Sequence, residues 1–266
     1  MFNLLRRLMA RHAFFLLFSL ALLGGFQYLI CAAVSSVNVS GAIEELMKNL
    51  PPLTRSLVGE QFFSGLTTRG ILAFGWNHPI ALALGTAVGI VLAARAIAGE
   101  IESGVLELLL SQPLSRMSYF LTHTTFAIFS LAVLSVSGVA GTFIGQEVFG
   151  LEPFEAGALL KLALNFFLLH CAWFALTMAF SVFGRESGRV STAGFLVALV
   201  SYVVQVIGKL WPSSAFLLPY SLHSYYSPQA ILVENTMEGK PLLVLFSISL
   251  ICTGFAAWRF RRRDIP

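Results

Sequence analysis

The sequence predicts an all-α polytopic membrane protein: six transmembrane helices, an N-terminal amphipathic helix and a short cytoplasmic helix between spans two and three. Three observations predict it. Of the 266 residues 57% are apolar and only 11% charged, where a soluble domain carries roughly 25% charged residues. Six continuous apolar runs, 13–34, 79–98, 117–145, 156–183, 192–211 and 242–258, are long enough as helices to cross ~30 Å of hydrocarbon. The basic residues are distributed unevenly between the two sets of connections those spans define.

The elements follow in chain order. Phe2, Leu4, Leu5, Leu8 and Met9 alternate with Arg6, Arg7 and Arg11, giving an apolar and a cationic side at helical spacing. Such a segment would lie along the inner leaflet. The run at 13–34 exceeds the roughly 7–15 residues of a signal-peptide core, so it reads as a retained span. Cys31, Cys171 and Cys252 fall inside spans, and an odd count without paired spacing marks them as small packing residues.

The first outer loop places Ile43, Leu46, Met47 and Leu50 at i, i+3, i+4 and i+7 before Pro51-Pro52, which predicts a small amphipathic helix. It also holds the sequon Asn38-Val39-Ser40. Gly85 and Gly89 in the second span, and Gly138 and Gly141 in the third, permit close helix contact, either between spans or between protomers. The last outer loop is apolar, aromatic and broken by Pro212, Pro219, Pro228 and Pro241. Non-helical backbone at membrane depth is tolerated only against protein or a wet cavity. Two arrangements stay open: a segment that dips back and caps a passage, or a surface loop.

Orientation follows from Lys and Arg. With the N-terminus inside, the inner connections hold 11 of the 17 basic residues, including the Arg259-Phe260-Arg261-Arg262-Arg263 cluster that reads as a stop-transfer anchor, and the outer ones hold 6. Both termini are therefore expected in the cytoplasm of a plasma (inner) membrane. The net charge of +4 reports topology and anionic lipid, not nucleic acid. The short loops leave no folded soluble domain, so 1–266 reads as a single transmembrane domain and any catalytic machinery must belong to a partner.

The connection 95–116, between spans two and three, carries most of the functional signal. Ile101, Val105, Leu108 and Leu109 share one helical face with Gln112 continuing the row, over a predicted helix at 99–112. Glu100 and Glu102 stand at its start, where the helix dipole favours negative charge. Pro113 marks the stop, and Ser115 is placed to cap the next span. Gly104 costs ~1 kcal/mol relative to Ala in a helix interior, which a bend at Ser103-Gly104 or a close backbone would explain. The chain has no phosphate-binding loop of the G-x-x-x-x-G-K-[ST] type.

The stretch Ala98-Gly99-Glu100-Ile101-Glu102-Ser103-Gly104-Val105-Leu106-Glu107-Leu108-Leu109-Leu110-Ser111-Gln112-Pro113-Leu114-Ser115-Arg116 resembles the signature of the type 2 permeases of ATP-binding-cassette transporters, A-G-E-x-E-x-G-T-L-x-L-L-L-x-x-P-x-S-R. It departs at Val105, where the pattern has Thr. The resemblance is closest to the single-gene six-span permeases that include the nitrous-oxide-reductase maturation permease.

It implies an exporter subunit with no cofactor or catalytic residue of its own. A separate pair of ATPase subunits would bind ATP and Mg, and a second permease protomer would complete the pair. It further implies that 99–112 is the coupling helix. Glu100, Glu102, Gly104, Glu107, Leu108, Leu109, Pro113, Ser115 and Arg116 are then the ATPase-coupling residues.

The rival is a self-contained secondary transporter or membrane scaffold with 95–116 as a mere connector. Few strongly polar groups lie within the spans. Asn165, His170, Gln205 and His123 would either form interhelical hydrogen bonds or line a substrate path.

Overall fold

The computed structural model describes residues 2–36, 67–111 and 114–263. The amphipathic helix expected around 43–50, the sequon and Pro113 lie outside them. The described residues contain no strand, and six of their helical stretches are long and apolar enough to cross a membrane.

Helix α1 spans Phe2–Ser36. The amphipathic N-terminal segment is therefore not a separate element but the first turns of the helix that also forms the first span. Leu4 and Leu8 turn into the protein, which keeps the helix running without a break.

The second span starts earlier than its apolar run, with α2 at Thr68–Asn77. His78 then separates it from α3 at Pro79–Ala94: its N–H caps Gly75 O at 3.4 Å, and its Nδ1 accepts from Ile80 N at 3.3 Å. Pro79 at the first helical position needs no amide partner, so this joint is cheap in unsatisfied backbone.

A short helix α4 (Val105–Leu110) precedes α5 (Arg116–Phe149), α6 (Ala156–Ser181) and α7 (Ser187–Leu210). Two 3₁₀ segments, Pro212–Tyr220 and Leu222–Tyr225, lead through α8 (Pro228–Leu232) to α9 (Gly239–Arg261). Helices α3 and α6 are the most enclosed, while α1, α7 and α9 turn most of their surface outward.

The glycine question resolves within one protomer. Helices α1 and α5 form the most extensive pairing. At their crossing a Cβ on Gly141 would sit 2.1 Å from Gly24 O, and one on Gly145 2.7 Å from Cys31 Cβ. Lipid is as apolar as leucine, so such close backbone approach supplies the packing that holds spans together. Across it Ser137 Oγ donates to Leu20 O at 2.7 Å, and Trp76 Nε1 of α2 donates to Thr142 Oγ1 at 3.1 Å. On the other side of the core, Gly85 and Gly89 face His170 of α6.

The proline-broken segment between α7 and α9 dips into the bundle. Ser221, His223 and Tyr226 are enclosed, and Tyr226 Oη donates to Trp76 O at 3.3 Å. Ser201, which meets Ser221 and His223, lies nine residues before the end of α7, so the loop descends about 13 Å alongside that helix. Its irregular backbone is thus lined by protein, as the absence of water in hydrocarbon demands.

Gly141→Ala is expected to cost about 1–3 kcal/mol, as overpacking of a close contact does, and to lower the thermal midpoint in detergent. Gly254→Ala, whose Cβ would meet nothing within 4 Å, should leave the midpoint unchanged or slightly raised. Equal behaviour of the two variants would show that the α1–α5 crossing does not hold the bundle.

Candidate functional site

The site starts where α3 ends. The residues around that end are small and enclosed: Ala93 and Ala94 of α3 and Ala96 and Ala98 just after it all lie at 1% exposure or below. They press against the turn after α6, where a Cβ on Gly184 would meet Ala98 Cβ at 3.4 Å. The backbone widens to a π-turn over Arg95–Gly99, which takes its amides and carbonyls out of the regular ladder. Neighbouring hydroxyls satisfy those groups. Tyr119 Oη of α5 donates to Ala96 O, while Ser181 Oγ of α6 accepts from Ala98 N at 3.1 Å and lies 3.4 Å from Ala94 O. A single helical turn, Glu100–Glu102, finishes the span.

Gly104 then breaks the helix. Its φ of +67° is in the left-handed region that costs an L side chain 1–2 kcal/mol, while the space around its Cβ is open. The glycine is therefore required by backbone conformation, and not by a close neighbour. The single continuous helix expected at 99–112 is replaced by the end of a span, a reversal and the two turns of α4.

This break resets the helical phase. Leu106, fully enclosed, turns inward, Leu109 is half-buried, and Leu108 is exposed at 68%. Placing Leu108 on one face with Ile101 fails because the period of 3.6 residues does not survive a left-handed residue. Glu107 and Leu108 instead stand side by side as the outward corner of α4, with Ser103 and Ser111 exposed beside them.

The three carboxylates have different environments. Glu100, expected to face an ATPase, is only 2% exposed and accepts from Arg7 Nη2 at 3.3 Å and from Arg11 Nη1 of α1. It binds the first span to the second. Glu102 is exposed and reaches the start of α7, accepting from Ser187 N at 2.9 Å and Ser187 Oγ at 2.6 Å. Glu107 is exposed, with no ion pair among the described residues.

Ser115 caps α5 as its position predicts, its Oγ accepting from Ser118 N at 3.1 Å. Arg116 does not face outward alone: its guanidinium donates to the carbonyls of Arg261 and Arg263 at the chain's other end. Arg263 is itself enclosed and donates to Ser181 O, Val182 O and Gly184 O at 3.3, 2.8 and 2.8 Å. The arginine cluster read as an anchor thus also closes the carboxyl end of α6, where unpaired carbonyls and the dipole favour a cation.

Three of the four polar residues singled out within the spans, Asn165, Gln205 and His170, are hydrogen-bonded by protein, while His123 Nε2 is buried with no hydrogen-bond partner among the described residues. Asn165 Nδ2 donates to Tyr225 O at 3.1 Å and its Oδ1 accepts from Ser227 N at 3.2 Å. Gln205 Nε2 donates to His223 O at 2.9 Å. Both hold the inward-dipping loop. His170 lies between Phe166 O at 2.7 Å and Leu82 O at 3.4 Å. His123 is buried against Tyr119, with ring centroids 4.5 Å apart. His170 and Gln205 stand outside the cavity of about 250 Å³ between α3 and α7, whose walls include Thr86, Ala198, Tyr202 and His223, while Asn165 lines a second cavity of about 340 Å³ with Ser224, Tyr225 and Ser227.

Sequence reasoning missed Arg7, Arg11, Ser187, Arg263 and His223 as participants. The first two carried a signal in the cationic stripe of the N-terminal segment. The others are brought in only by folding.

The family model described as ABC-2 family transporter protein matches residues 5–265 of the chain. No curated protein matches it.

Glu100→Gln is expected to cost about 1–3 kcal/mol of stability, below the figure for fully enclosed pairs because Arg7 and Arg11 are 37% and 34% exposed. In an Arg7→Gln, Arg11→Gln background the same substitution should cost less than half as much, measured as a thermal double-mutant cycle. An equal cost in both backgrounds would remove the ion pair as the reason Glu100 is turned inward.

Proposed function

The chain belongs to the ABC-2 family of transporter proteins, and on that footing we propose that it is the membrane-spanning subunit of an exporter driven by a separate ATPase pair. Membership makes it a multi-pass permease component of an ATP-binding-cassette transporter. The proposal adds direction, sidedness and the place where energy enters. The observation that carries it is the exposed Glu107–Leu108 corner, attached to a span end whose two preceding carboxylates grip α1 and α7.

In this reading α4 is the docking element. Leu108 seats in an apolar groove of the ATPase and Glu107 meets a basic residue or amide there. When ATP closes the nucleotide-binding pair, α4 is displaced. The movement passes back through the Gly104 reversal into the packed end of α3, then through Glu100 to α1 and through Glu102 to α7. Glu100, Glu102, Gly104, Ser115 and Arg116 thereby serve as transmission and positioning residues, while Glu107, Leu108 and Leu109 belong to the contact.

The end of the bundle that holds Arg7, Arg11, Arg116, Arg189 and Arg263 is the cytoplasmic one in a plasma (inner) membrane, as the positive-inside rule assigns. Cargo then enters from the cytoplasm or the inner leaflet. A second permease protomer completes the translocation pathway. The cleft between α3 and α7, with Thr86, Tyr202 and His223 in its walls, serves as the substrate-facing surface.

Glu107→Lys and Leu108→Glu are expected to lower permease-stimulated ATP hydrolysis at least tenfold while membrane insertion and thermal midpoint stay unchanged. The assay uses the permease copurified and reconstituted with the ATPase it retains on purification. Normal stimulation by both variants would sink the docking role. Absence of any copurifying ATPase would favour a self-contained transporter.

A further inference from the structure

Between α1 and α5, on the outward side of the bundle, lies an apolar groove of about 660 Å³. Leu16, Leu20 and Phe126 line it, and the exposed Met9, Leu17 and Phe129 flank it. Of its three hydroxyls two are spent on their own helices, Ser19 Oγ donating to Phe15 O and Ser130 Oγ to Phe126 O, both at 2.8 Å, and the third is that of Thr125. The remaining lining is apolar and fits hydrocarbon.

Two features restrict the occupant further. From Leu5 to Leu20 the groove runs about 22 Å along α1, a length that lies within the ~30 Å of hydrocarbon of a bilayer. It starts at the end of the bundle that carries the arginines. Arg6 follows Leu5, the first residue of α1 to line the groove, and lies on the same stripe of the helix as Ala13 and Leu17, seven and eleven residues on. Arg6 is exposed and has no ion pair among the described residues, whereas Arg7 and Arg11 point around the helix to Glu100.

We propose that this groove with Arg6 at its head is a binding site for an anionic glycerophospholipid, one acyl chain lying along α1 and the phosphate held by Arg6. The glycerol then lies between the guanidinium and the start of the groove at Leu5. The site is separate from the α4 corner, so the docking role can fail while this assignment stands.

The test uses the full chain in nanodiscs containing equal amounts of phosphatidylglycerol and phosphatidylcholine, with retained lipid counted by native mass spectrometry. The wild type is expected to retain phosphatidylglycerol about fivefold over phosphatidylcholine, the preference one basic residue near an interface supplies. Arg6→Gln should equalise the two without lowering total bound lipid, and Ala13→Trp, which fills the groove, should lower both. A wild type that retains the two equally, or an Arg6→Gln variant that keeps the preference, overturns the proposal. So does efficient disulfide formation between two copies of an Ala13→Cys variant, because a second copy then covers the groove. If Ala13→Trp fails to fold, the Arg6→Gln comparison decides alone.

Discussion

The enclosed carboxylate of Glu100, held between Arg7 and Arg11, is the interaction on which the rest of this structure depends. An ionised group at the edge of hydrocarbon must be paired, and here the partners come from the first turns of the chain. That pairing fixes where α1 begins relative to the end of α3. With the start of α1 fixed, the remainder of the helix meets α5 along the glycine contact at Gly24 and Gly141. One ion-pair cluster thus connects the N-terminus, the second span and the third.

Backbone satisfaction explains the irregular parts. In a bilayer each unpaired amide or carbonyl is costly, so irregular backbone appears only where a side chain can reach it. The π-turn at Arg95–Gly99 is sustained by Tyr119 and Ser181, the carbonyls at the end of α6 by Arg263, and the inward loop by Asn165 and Gln205. Gly104 stands at the boundary of this regime. Beyond it α4 exposes Glu107 and Leu108, and in the proposed reading it is presented to a partner without a penalty in unsatisfied backbone.

The same logic separates two jobs within one short motif. Residues up to Glu102 are packed or bonded into three helices and move with them. Residues from Val105 to Ser111 show an outward corner held by the enclosed Leu106, with Leu109 packed against the core beside it. Energy transfer between subunits needs both: a surface free to be gripped, and an attachment stiff enough to pass the displacement on. In the family reading the carboxylates at the start of the motif are internal grips, and Glu107 alone meets the partner.

The sequence by itself determined the six helices, the sign of the charge at the end where the chain starts and stops, the Ser115 cap and the need for something unusual at Gly104. These are legible because hydropathy, capping and glycine's freedom act over a few neighbouring residues. It marked Asn165, His170 and Gln205 as out of place in hydrocarbon but not what they bond, since Tyr225, Leu82 and His223 approach them only after the loop and helices pack. Tertiary structure alone decided that Glu100 faces inward, because its partners lie 93 and 89 residues away. It also decided which leucine of α4 faces out, since one left-handed residue shifts every later side chain around the axis. Local patterns are written in the order of the chain; ion pairs and crossings are set by distances between segments that the chain order does not encode.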